Sequence, residues 1–150
     1  MSPTAHQDSE WQRIWFAVRG QAWTSLALVP SNPGIDAARI AESLAAVGRV
    51  HAERPVTLIN ATGAEITNVQ SVIDAIGASV ARSERVIVAV GAITEQPGTV
   101  AIAQATSAVL LIVRLGESQL DAAQSTLLAV GRDRFLGSVV LDAQMQATFQ

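Results

Sequence analysis

The sequence contains no cysteine, no lysine and no tyrosine, and only 15% of its residues are charged. Without Cys, neither a disulfide nor a thiolate metal site can form. Without Lys, every basic side chain is an Arg, and these are scattered: Arg49 and Arg54, Arg82 and Arg85, Arg132 and Arg134. No basic stripe results, which argues against nucleic acid as a partner. Long apolar runs are lacking too. The longest, Val86–Val90 and Ala108–Val113, are far too short for a bilayer-spanning helix, so no direct membrane insertion is expected. Met1 to Glu10 is polar, unlike a secretory leader. A soluble, cytoplasmic protein is expected. Histidine is limited to His6 and His51, one in an expected tail and one in an expected loop, so neither a metal nor another cofactor is anticipated.

What is present is a core. With 150 residues, 49% of them hydrophobic, and a net charge of −3, the chain should fold as a single domain. Five unbroken apolar runs read as parallel strands covered on both faces: Ser25–Val29, Val56–Asn60, Arg85–Val90, Val109–Arg114 and Ser138–Leu141. Helical stripes lie between them. Ile40, Leu44 and Val47 form one, Val69, Val72, Ile73, Ile76 and Val80 a second, and Leu120, Ala123, Leu127 and Leu128 a third. Strands and helices alternating at βαβ spacing predict a three-layer α/β/α domain around a five-stranded parallel sheet.

A preceding helix is predicted over residues 9–20. Ser9 with Gln12 makes a capping-box pattern, and Gly20 is the stop. Residues 1–8 are expected as a disordered tail and 143–150 as a C-terminal tail. Trp11, Ile14, Trp15 and Val18 share one helix face and should pack on the sheet, with Trp11, in the first turn, the weakest member. All the Trp residues (Trp11, Trp15, Trp23) lie in this region, which makes it the candidate for an exposed aromatic anchor.

The segment Ser31 to Arg39 follows a strand and opens a helix, the position of a phosphate-binding loop. A working P-loop needs a Lys for the β/γ-phosphates and a hydroxyl for Mg²⁺. Here those places hold Ala37 and Ala38, and Asp36 puts negative charge where phosphate would lie. An ordinary helix start explains the same residues: Asn32 as N-cap, Pro33 at the first helical position, Asp36 at the positive helix end. Ligands of parallel sheets bind at the carboxyl ends of strands. The acids expected there, Glu95, Glu117 and Asp142, come from different strands with no partner at catalytic spacing. Asn60, Glu95 and Arg114 are the residues that a polar cluster at that edge would use.

The order of elements from Leu26 to Leu141 resembles the cytoplasmic P-loop domain of bacterial exopolysaccharide tyrosine kinases. These partner polysaccharide co-polymerases and are related to MinD/ParA-type ATPases. The family's P-G-E-G-K-S-T loop and N-L-A helix align without a gap with Pro33-Gly34-Ile35-Asp36-Ala37-Ala38-Arg39 and Ser43-Leu44-Ala45. Its L-I-D-A-D strand end aligns with Leu58-Ile59-Asn60-Ala61-Thr62, and its V-I-I-D-T-P-P with Val86-Ile87-Val88-Ala89-Val90-Gly91-Ala92. Its D-P-D and A-D-G-V-L-L-V-V-R segments align with Gln96-Pro97-Gly98 and Thr106 to Arg114. Its R-x-L-G-V-V-L-N strand aligns with Phe135 to Asp142.

The resemblance implies strand order 2-3-1-4-5 and a lost active site. Ala37 and Ala38 replace the phosphate Lys and the Mg²⁺ hydroxyl, and Asn60, Thr62 and Ala89 replace the acids. Without them nothing offsets charge on a transferred phosphoryl group. The tyrosine tail on which such kinases act is missing as well. The family's E-x-x-R-x-x-R association helix survives as Glu10, Arg13 and Phe16, a half-kept motif that leaves a homo-oligomer as a candidate assembly. The expectation is a non-enzymatic pseudokinase that binds proteins in exopolysaccharide biosynthesis or export. Its partner would be a membrane polysaccharide co-polymerase or an active kinase homologue, and through it the chain would sit at the inner face of the cytoplasmic membrane. The alternatives are a nucleotide-binding switch that uses the backbone of Asn32 to Ala37, and an enzyme of another class built on Glu95 or Asp142.

Overall fold

The computed structural model describes residues 3–116, 120–142 and 146–150, and for residues 3–8 the backbone alone. The chain is α/β. It runs α1 (Pro3–Arg19), β1 (Ser25–Pro30), α2 (Ala37–His51), β2 (Val56–Asn60), α3 (Val69–Ala81) and β3 (Arg85–Ala89), then α4 (Thr99–Gln104), β4 (Ala108–Arg114), α5 (Leu120–Val130), β5 (Phe135–Leu141) and β6 (Ala147–Phe149). The sheet order is β2-β3-β1-β4-β5-β6. It is a mixed sheet, because β6 pairs antiparallel to β5 while the other pairs are parallel. The expected five-stranded, all-parallel sheet is therefore corrected to six strands, the order differing by the strand added beyond β5. Within the expected 143–150 tail, Ala147, Thr148 and Phe149 make that strand, and 143–145 lie outside the described residues.

The helices divide the core in two. Leu26 and Leu28 of β1 pack with α1 and α2, whereas Ala27 and Val29 pack with Ile76 of α3, Ile102 and Ala103 of α4 and Val130 of α5. Alternate side chains of one strand thus supply both cores, as the pleat requires. In α2, Ala37, Ile40, Ala41, Leu44, Ala45, Val47 and Gly48 are buried at helical spacing. In α5 the expected stripe is not the buried one. Thr126 and Val130 face the sheet, while Leu120 and Leu128 are 72% and 68% exposed. Leu120 lies a little over two turns before Leu128, so the two share one side of the helix.

The N-terminal helix is longer than predicted. It begins at Pro3, so Ser9 lies inside it and caps nothing; Met1 and Ser2 lie outside the described residues. Pro suits a first helical position, and no Gly or second Pro interrupts 4–8. The Trp11, Ile14, Trp15 and Val18 stripe is buried as expected, and Trp23 is buried with it. The expected exposed Trp anchor is thereby overturned. Trp23 donates its indole N–H to Val18 O at 2.8 Å and meets Trp15 edge to face at 6.0 Å.

Candidate functional site

The neighbours β1 and β3 send their connections to opposite faces of the sheet, α2 to one and α4 to the other. Such a switch point opens a crevice at the carboxyl ends of the strands. Here it is a cleft of about 630 Å³ bounded by Ile35 to Ala37, by Thr62 to Thr67 after β2, and by Val90 to Pro97 after β3. The loop between β1 and α2 forms one wall.

The loop is a helix start, with the cap placed differently from the sequence expectation. Asp36, not Asn32, is the N-cap of α2, and its Oδ1 accepts the Arg39 N–H at 3.1 Å. Asn32 and Pro33 lie upstream of the helix, and Asn32 Oδ1 accepts the Ser31 hydroxyl at 2.9 Å. Gly34, at φ +90°, takes the left-handed turn that separates the two segments. Ala37 is buried and Ala38 half-buried, both packed on the core shared with α1.

The positions that the resemblance aligns with acids make contacts of their own. Asn60 and Thr62 bond each other, Asn60 Oδ1 accepting the Thr62 N–H at 3.1 Å and its hydroxyl at 2.6 Å. Ala89 is fully buried in the core under α1 and α2. The polar centre of the cleft is instead Gln96, which the sequence did not single out. It is 5% exposed. Its Oε1 accepts the Gly91 N–H at 2.8 Å and the Gly63 N–H at 3.1 Å, while its Nε2 donates to Ala61 O at 2.8 Å. One amide thus ties the loop after β2 to the loop after β3. Thr99, at 0% exposure, donates its hydroxyl to Gly91 O at 2.7 Å and holds the same loop from behind. A Gln in a polar loop carries no sequence signal for this role, because both partner segments are distant in the chain.

The charged residues on the cleft are Asp36, Glu65 and Glu95, with no Arg or His among its lining residues. Glu95 lies there as expected, but neither Asn60 nor Arg114 joins it on the lining. Asp142 lies beyond β5 and accepts the Gln146 N–H at 2.9 Å; Glu117 lies outside the described residues. Among the described residues no three His, Asp or Glu side chains gather closely enough to hold a metal ion. No helix among them is long and apolar enough to cross a membrane.

Glu10, Arg13 and Phe16, which the resemblance aligns with an association motif, point to different places. Glu10 Oε2 accepts the Ala147 N–H at 3.1 Å, so this acid fastens β6 to α1. Arg13 is exposed beside a groove between α1 and β6. Phe16 is 46% exposed, with its ring 5.0 Å from that of His51 and the Arg19 guanidinium 5.2 Å from its centre. Trp11 is 9% exposed and floors a groove of about 430 Å³ between α1 and α2. Compared with known proteins, the sequence matches no family model and no curated protein.

Proposed function

We propose that the chain is a P-loop-like domain without catalytic activity that works by binding other proteins. The observation that carries this reading is the charge of the cleft. Asp36, Glu65 and Glu95 line the place where a P-loop domain holds phosphates, and no cation opposes them. The helix end that would attract a phosphate is already satisfied by the Asp36 carboxylate, which accepts the Arg39 N–H. The setting in exopolysaccharide biosynthesis or export, with a membrane co-polymerase or an active kinase as partner, rests on the aligned segments of the sequence.

A thermal-shift series with ATP and ADP, with and without Mg²⁺, tests the silent cleft. No magnesium-strengthened rise is expected. Ligand at 100 times its dissociation constant would add about 2.7 kcal/mol, a rise of about 5–10 °C for a chain of this size. A rise of that kind would make the domain a nucleotide-gated switch.

The binding role assigns the exposed side of α1 to a partner. Sedimentation velocity over a concentration series should show the chain associating, and Arg13→Ala with Phe16→Ala should weaken that association about tenfold. Glu10 is left in place because its loss would loosen β6. A wild-type chain that stays monomeric throughout removes self-association as the use of this face.

A further inference from the structure

At the end of the sheet opposite the cleft, three segments converge on a second, smaller cavity. Trp15 and Arg19 come from the last turns of α1, and Ala52, Glu53 and Arg54 link α2 to β2. Arg85 is the first residue of β3. Together they line a space of about 190 Å³. By the share of liquid volume that one water takes, this holds roughly six waters, enough for a phosphoryl group and too little for a nucleoside.

The lining carries three guanidinium groups and one carboxylate, Glu53, a formal surplus of two positive charges. Among the described residues, none of Arg19, Arg54 and Arg85 forms an ion pair. Arg85 is held in place by aromatic faces, its guanidinium 4.7 Å from the Trp23 ring centre and 6.0 Å from that of Trp15. Two buried donors here have no acceptor: Arg85 Nη1 and the indole Nε1 of Trp15, whose residue is 0% exposed. Buried donors left unpaired are rare and each is destabilising. Neither atom presents surface to the cavity, so both belong to the packing beneath it and the charge of the lining alone faces a ligand. The acidity of Arg85 agrees: burial lowers its pKa first, the charges of Arg54 and Arg19 lower it further, and Glu53 opposes them weakly.

From the cavity and its surplus charge, we infer that Arg19, Arg54 and Arg85, with Trp15 as the packing beneath them, form a binding site for a phosphate dianion, either inorganic phosphate or the head of a small phosphate monoester. Planar guanidinium forks suit the geometry of phosphate oxygens, and a dianion matches the surplus of charge. The site is independent of the silent cleft and lies at the other end of the strands.

The test is titration calorimetry with tryptophan emission, using inorganic phosphate in one arm and glycerol 2-phosphate in the other, at ionic strength held constant with chloride. Saturable binding is expected with a dissociation constant of about 1 mM or below, and the tighter arm identifies the source. Arg85→Met should abolish it. Because Arg85 is packed on two indoles, that variant can fail to fold, so Arg54→Gln on the exposed linker is the deciding one. It should weaken binding about tenfold or more, with Arg132→Gln unchanged as a control. No saturable change in either arm, or equal affinity of Arg54→Gln and wild type, would overturn the site. A thermal rise with ATP that needs no magnesium and vanishes in Arg54→Gln belongs to this cavity; one that survives in Arg54→Gln belongs to the cleft.

Discussion

Replacing Gly48 with Val is expected to unseat α1 and to cost about 2–4 kcal/mol of stability, among the largest single losses open to this chain. Gly48 is buried in α2, and a Cβ built there would stand 2.8 Å and 2.9 Å from two carbons of the Trp15 indole. The indole has little room to yield. It is 0% exposed, edge-on to Trp23, and lies beneath the Arg85 guanidinium. Alanine at this position sharpens the test. In an open helix Gly→Ala would add about 1 kcal/mol through propensity alone. Here Gly48→Ala should lose stability instead, because contact outweighs propensity. Urea unfolding followed by far-UV circular dichroism measures both variants. A Gly48→Val midpoint equal to wild type would mean that α1 packs elsewhere.

The second large effect belongs to Gln96. Gln96→Leu keeps the volume and removes three hydrogen bonds, those to Gly63 N, Gly91 N and Ala61 O. Each backbone group left unpaired costs about 1–3 kcal/mol unless water reaches it. The cleft is open on one side, so partial rewetting brings the expected loss to about 2–4 kcal/mol. Gly91→Ala attacks the same contact from the other partner, since its Cβ would stand 2.6 Å from Gln96 Oε1. The two substitutions should therefore be strongly non-additive, the double variant scarcely less stable than the worse single one. A double-mutant cycle by chemical denaturation checks this, and additive losses would mean that the clamp does not act as one unit. Amide exchange should accelerate at Gly63 and Gly91 in the Leu variant.

The α/β class was legible because β1, β3 and β4 are buried on both faces and so had to be unbroken apolar runs. β6 was not legible. Ala147-Thr148-Phe149 is too short to show a period, and only β5 gives it a reason to be extended. The start of α1 was misread because Ser9 with Gln12 satisfies a capping pattern that the helix passes straight through. In the loop after β1, two good caps stand four residues apart, and the turn at Gly34 decides for Asp36 over Asn32. In α5 the Leu residues gave a stripe at the right spacing on the wrong side. The site itself was half visible. That Ala37, Ala38, Asn60, Thr62 and Ala89 bring neither a Lys nor an acid to these positions could be read directly. What fills their place could not, since Gln96 and the Arg85–Trp15–Trp23 stack are joined only through the fold.

The bond from Ala147 to Glu10 spans 137 positions of the chain. Translation supplies about 5–20 residues each second, so Glu10 is made on the order of ten seconds before its partner exists. Over that interval α1 can settle on α2, which follows it closely, while one side of the helix has nothing to meet. The short strand β6 then acts as a latch, closing on a helix made well before it.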